Sequence, residues 1–453
     1  MKTKAFITIC LFFTCSLLFG QNKTTQRLQG SWLGKIIVPN GPKITTLMHF
    51  KVIAKALSGT FDSPDQSHID LLMDSVWMVK DSIFADFSSQ LGPGTGYKGV
   101  FLGGDSVIDG HWIQGGGSYA LKLKPSTYEY VQKVNLNPQL NGYKIIKLIK
   151  STPIKDQHNT GTCWSFATTS FIETEAIRLG KKPVPLSPMF FVTPTFLDKA
   201  ERYIRLQGNQ SFNEGGLTFH ALKVYRNFGA IPEEVYSGKY DPAVQFNHLK
   251  MEHESTDKIK AYVDRGYGKM TADEYKKSIA EIVYKTIPKA PESFVFEGKR
   301  YTPQSFAAEK VGINPDNYVE ITSYTHHPFY AKFALEMPSN WNNDEYLNVP
   351  LTDFISIVDH ALLNNYSVAW DGDIQEGYKD GYCKLADGKV VTQQSRQAAF
   401  DDYTTQDNHN MHIIGLAENK DGKRFYILKN SSAYNDNGGY IYMSKEYLQL
   451  KTI

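Results

Sequence analysis

The sequence predicts an α+β protein with a small all-β barrel or sandwich domain in front of a larger mixed domain. Three observations carry this. Between Leu28 and Lys124, short alternating apolar segments recur between turn clusters, the pattern of antiparallel strands. From Lys144 onward, stretches with helical periodicity precede a closing series of strands. The chain has 453 residues, ample for two or more cores.

The elements follow in order. Residues 1–20 read as a secretory signal peptide: Lys2 and Lys4 precede an apolar run from Ala5 to Phe19, and Gly20 offers a cleavage point. That implies export, to the periplasm or outside the cell, with no membrane attachment once the signal is removed. Residues 21–27 form a linker and 28–124 the β-domain. Strands are expected at Ser31–Val38, Thr46–Ile53, Asp74–Val79, Ser82–Phe87, Gly110–Ile113 and Tyr119–Leu123. Pro39–Pro42, Ser63–Gln66, Gly92–Gly96 and Gly115–Gly117 are turns between them. Residues 125–143 form a second linker, and 144–453 the larger domain. Within it, Trp164–Leu179 reads as a helix stopped by Gly180. Lys258–Lys285 is rich in helix formers with a break at Gly266–Gly268, and Leu351–Asn364 is a further helix. Strands follow around Met411, Phe425 and Tyr440.

Charge excludes some functions. Without Lys2 and Lys4, the 49 basic residues become 47 against 47 acidic ones. A neutral chain with no basic stripe argues against nucleic acid. Only Cys163 and Cys383 lie beyond the signal segment. One possible pair is not a disulfide scaffold; either the two bridge or at least one has a chemical role.

Cys163 is where the chemistry concentrates. It opens a helix, where unpaired amides and the macrodipole favour negative charge and lower a thiol's pKa. Gln157 stands six residues upstream. Its side-chain amide and the Cys163 backbone N–H could together hold the oxyanion formed when a thiolate attacks an amide. Later, Asn408-His409-Asn410-Met411-His412 offers two imidazoles. Strand alternation puts them on opposite faces, so only one can meet Cys163, and alternation alone does not choose. The pair is a poor metal site, since i and i+3 do not converge on a strand. Asn430, after the apolar strand Phe425–Leu428, could orient an imidazole as the third member of a Cys-His-Asn set.

These segments resemble the papain superfamily, and within it the bleomycin hydrolase and aminopeptidase C branch. Gln157-xxx-Gly161-x-Cys163-Trp164-Ser-Phe resembles the nucleophile segment, and Leu186-Ser187-Pro188 the stretch after its helix. Glu214-Gly215-Gly216 is similar to the glycine pair lining the substrate cleft. Asn408–Met411, with Gly415 six residues after His409, resembles the histidine strand. That register selects His409 over His412. Leu428–Ser431 and Gly439–Ile441 resemble the asparagine segment and the strand after it. The likeness runs from about Lys144 to Tyr447, with a poorly matched insert near 250–336.

The resemblance implies a helical lobe carrying Cys163 packed on a β-rich lobe carrying His409 and Asn430. It implies Gln157 as oxyanion donor, and Gly215, Gly216 and Trp164 as substrate-binding residues. No metal or cofactor is expected, and the partner is a peptide or protein substrate. Three departures stand out: Thr160 replaces a disulfide cysteine of compact members, Ser432 replaces a tryptophan beside the asparagine, and that branch's long C-terminal arm is not found before Ile453. Endo- and exopeptidase action and the oligomeric state stay open. The rival expectations are a catalytically silent peptide- or glycan-binding protein and a cysteine acyl transferase.

Overall fold

The computed structural model describes residues 26–39, 43–53, 56–63, 68–102, 104, 106–127, 142–241, 244–264, 271–432, 435 and 437–453. The expected signal peptide, residues 128–141 of the expected 125–143 linker and the break at Gly266–Gly268 lie outside them. Two compact units divide between Val131 and Gln132.

The first unit is one antiparallel sheet of nine strands: β1 (Gly30–Ile37), β2 (Lys43–Ile53), β3 (Ala56–Ser63), β4 (His68–Leu72), β5 (Ser75–Val79), β6 (Ser82–Asp86), β7 (Gly96–Leu102), β8 (Val107–Gln114) and β9 (Gly117–Ser126). Their order is β4-β3-β2-β1-β9-β8-β7-β6-β5. The ends of this path, β4 and β5, are separated in sequence only by Met73 and Asp74. Met73 N–H bonds Gly59 O of β3 at 3.0 Å, and Asp74 N–H bonds Asp86 O of β6 at 2.8 Å. The sheet therefore curls into a nearly closed barrel, which leaves little open edge. Alternation fills its interior: along β8, Ile108, Gly110 and Trp112 point in while Asp109 and His111 point out. Phe61 stacks on Trp112 at 4.8 Å between ring centroids, and Phe87 meets the same indole at 5.0 Å. Strands β3, β4 and β7 were not among those read from the sequence. In β3 (ALSGTFDS) small and polar residues blur the alternation.

The second unit joins a helical half to a β-rich half. Helix α1 (Cys163–Arg178) buries nearly its whole length. Its end follows the expected stop, with Gly180 at φ 80° and Lys181 N–H bonded back to Ala176 O at 2.9 Å. Helices α2 (Met189–Arg205), α3 (Thr218–Phe228), α4 (Leu249–Asp264) and α5 (Ala272–Val283) surround it. The insert near 250–336 is no separate body at its start. Met251, Ile259, Tyr275 and Ile279 join the same apolar core as Trp164 and Phe191.

In the β-rich half, helix α6 (Leu351–Leu363) packs against a sheet containing β10 (Tyr143–Leu148), β11 (Val368–Gly372), β12 (His409–Asn419), β13 (Arg424–Lys429) and β14 (Tyr440–Ser444). Strand β12 is its spine. Its first half pairs with β11 and its second half with β10, while β13 runs along the other edge. The register shifts in both the β10 and β13 ladders near Gly415. A Cβ on Gly415 would stand 2.4 Å from Lys147 O, so only glycine lets β10 approach there. Among the described residues, no helix is long and apolar enough to cross a membrane.

Candidate active site

Cys163 lies at the first turn of α1, and no side chain caps that end. The thiol faces the start of β12, with Sγ 3.8 Å from Asn410 Oδ1. Burial pushes the thiol up to about 12. Backbone N–H groups of Asn410 and Trp164 pull it down, and the Asp407 and Asp371 carboxylates push it further up.

His409 begins β12. Its Nε2 meets Asn430 Oδ1 at 2.6 Å. That oxygen also accepts the Ser431 backbone N–H at 2.9 Å. An amide edge that receives a backbone N–H must present oxygen, so His409 Nε2 carries the proton and Nδ1 keeps its lone pair. Burial lowers the His409 pKa, against an upward pull from Asn430 and Asp407. His412, three residues on, is committed elsewhere. Lys429 Nζ donates to Ser170 Oγ at 2.6 Å, and Ser170 lies 2.9 Å from His412 Nδ1. His412 is fully buried against α1.

Gln157 sits beside Asn430's strand. Its N–H bonds Ser431 O at 2.9 Å, its Oε1 accepts from Ser431 Oγ, and its Nε2 donates to Thr160 O at 2.6 Å. The side-chain amide has one N–H beyond that last bond. Gln157, Cys163, Gly215, Gly216, His409 and Asn410 line one cavity of about 830 Å³. The same wall carries Glu252, Glu336, Asp401 and Asp407 and, among the described residues, no lysine or arginine.

Trp164 differs from expectation. It is 1 % exposed and lies behind the cavity lining. Its Nε1 donates to Glu214 O at 2.9 Å, and a Cβ on Gly216 would meet the indole ring at 2.7 Å. Trp164 therefore supports the glycine pair from beneath instead of touching a ligand. Gly216→Ala is expected to cost about 1–3 kcal/mol of stability, since a rigid ring cannot yield as a flexible side chain can. At Gly215 a Cβ would meet only Asn213 Oδ1, at 3.1 Å. Urea denaturation of the two alanine variants should show the larger loss at Gly216; equal losses would contradict this packing.

Sequence reasoning missed the residues that hold this lining. Glu214, 4 % exposed, accepts the Gly161 N–H at 2.8 Å and, on its other oxygen, His248 Nδ1. Lys199, 2 % exposed, donates to the carbonyls of Asn213, at 3.1 Å, and Gly215. Burial lowers its pKa to about 8, against the pull of Asp407, Glu252 and Glu214. Glu214 precedes the quoted glycine pair, but nothing local in the sequence connects it with His248 or Lys199. Asp371 of β11 is a third omission. Its carboxyl oxygens are buried, and desolvation followed by the neighbouring Asp407 raises its pKa well above the usual range.

The comparisons bear on this arrangement. Residues 146–327 match the papain family cysteine protease description, and the fold aligns with that of a solved structure. The second unit is papain-like. The aligned structure is PepW from Lactobacillus rhamnosis HN001, at a TM-score of 0.54 and 17 % identity, covering 68 % of this chain and 80 % of that one. Over 160 residues, 34 % of this chain and 42 % of the relative, the sequence is 35 % identical to a cathepsin L-like peptidase of Aedes aegypti. The chain thus spans less than half of that curated relative. The papain-family match holds Gln157, Cys163 and the glycine pair, and ends before β12, so His409 and Asn430 are joined to it by the fold.

Proposed function

We propose that this chain is an exported thiol peptidase in which Cys163 attacks the scissile carbonyl and His409 exchanges protons with the thiol and the leaving amine. Asn430 orients His409. Gln157 and the Cys163 backbone N–H receive the oxyanion. The observation that carries the reading is the Asn430–His409 bond at 2.6 Å, which leaves Nδ1 free as the base on an imidazole lining the same cavity as the thiol.

Burial disfavours each charge taken singly, and so holds a neutral thiol and a neutral imidazole at rest. Proton transfer from sulfur to Nδ1 creates both charges together. The pair then stabilises itself, with the open helix N-terminus favouring the thiolate. The carboxylates along the cavity favour substrates bearing positive charge, whether a basic side chain or a free amino terminus. The poorly matched insert between nucleophile and base supports the bleomycin hydrolase and aminopeptidase C branch.

Thiol labelling tests the reading. Cys383 is fully buried in the β-rich core and is expected to stay inert. Iodoacetamide should therefore add one group per native chain, at Cys163, and a bound cationic peptide should block it. His409→Ala should slow alkylation by roughly 10²-fold, the usual scale of a lost general base. The rival, a silent binding protein, draws its support from the burial that pushes the thiol up. Slow alkylation indifferent to His409 would establish that rival.

A further inference from the structure

From the convergence of His326 Nε2, His327 Nε2 and the Glu336 carboxylate, the last of which lines the cavity, we infer a binding site for a zinc-class divalent cation. The three side chains can each present one ligand atom, all within 4.8 Å of one another. His327 Nε2 lies 2.7 Å from Glu336 Oε1, and His326 Nε2 lies 3.2 Å from Oε2. Ligands of a tetrahedral zinc, each about 2.0–2.1 Å from the metal, stand roughly 3.3 Å apart. Small rotations of the carboxylate would reach that spacing. Two imidazole nitrogens and one carboxylate oxygen form a donor set suited to zinc, with the fourth position left to water.

The rings are held in place, as a preorganised site requires. His327 stacks on Phe333 at 4.1 Å between centroids. His326 lies nearly parallel to Phe400, at 5.6 Å and 10°, and its far nitrogen, Nδ1, rests against the Gln397 amide at 3.1–3.3 Å. Gln397 is itself pinned by Thr325 N–H at 2.6 Å and Asp401 at 2.8 Å. The two imidazoles stand only 4.7 Å apart between centroids. Glu336 also lines the cavity beside Asp401, so the acidic wall draws cations toward the site. The site therefore departs from the expectation of a chain without metal.

The test uses the full chain carrying Cys163→Ala, which removes the thiol that could itself take zinc. Calorimetric titration with Zn²⁺ should show one saturable site per chain, not displaced by Mg²⁺, which prefers an oxygen shell. His326→Ala and His327→Ala should each abolish it, and Gln397→Ala should weaken it about 10–100-fold, as loss of an outer-shell partner does. Glu336→Gln keeps the size of the side chain and removes the anion. It should weaken binding while circular dichroism stays unchanged, which separates ligation from misfolding. Absence of saturable zinc binding, or binding unchanged by His327→Ala and Glu336→Gln, overturns the inference. Because the readout is binding and not turnover, it stands or falls apart from the peptidase reading.

Discussion

Cys163→Ala is expected to abolish peptide hydrolysis, by on the order of 10⁵-fold or more, while shifting the melting temperature by no more than about 5 °C. The size of the loss follows from the chemistry: without the sulfur no acyl-enzyme forms, and the remaining groups only bind and polarise the substrate. The small stability effect follows from the site. Cys163 is half-buried at the mouth of α1, and its thiol's side-chain hydrogen bond, to Asn410 Oδ1, is long at 3.8 Å. Alanine suits a helix start where no cap bond exists to be lost. Progress curves on a peptide library, read by new amino termini, give activity, cleavage mode and preference together. Full hydrolysis by the alanine variant would sink the nucleophile assignment. Lost activity with a melting temperature lowered by much more than 5 °C would show that the thiol packs more tightly than its contacts indicate.

Glu214→Ala is expected to cost about 3–5 kcal/mol of stability, more than any other single change near the cavity, and to remove activity with it. One carboxylate ties two distant segments together. It takes the Gly161 N–H, two residues before the nucleophile, and the His248 ring on a chain segment far away in sequence. Both Glu214 and His248 side chains are 2 % exposed. Truncation strands the buried His248 imidazole where water cannot replace the lost partner, the costliest way to break a buried pair, and leaves the Gly161 N–H to the solvent of the cavity. Glu214→Gln should be intermediate, since its amide oxygen can accept one of the two bonds while its NH₂ opposes the other. Urea denaturation gives the stability, and kcat/KM of the residual folded fraction gives the activity. A loss below about 1 kcal/mol for Glu214→Ala would mean that Gly161 and His248 find other partners.

These two residues differ in how far the sequence exposes them. Cys163 announces itself through local features: a glycine turn, a helical period from Trp164 to Leu179, and Gln157 at a fixed offset. Glu214 carries no such mark, because its role is to meet His248, whose approach depends on how the chain returns after α3. The same contrast runs through the β-domain. Strands with clear alternation, such as Gly110–Ile113, were legible. Strand β3 was not, because its partners and not its own composition hold it in the sheet. Trp164 was assigned to the substrate on resemblance, but the packing of α1 turns it beneath Gly216.

The sequence alone determined the order of elements, a thiol at the head of a helix, and two histidines on opposite faces of a strand, because these follow from periodicities of 3.6 and 2 within short segments. Only the tertiary structure decided that His412 is spent on Ser170 of α1 while His409 meets Asn430. It alone brought His326, His327 and Glu336 to one point. The physical reason is the same in each case. A side chain's direction is set by its own strand or helix, but its partner is set by segments tens to hundreds of residues away, which meet it only when the two halves close on their shared core.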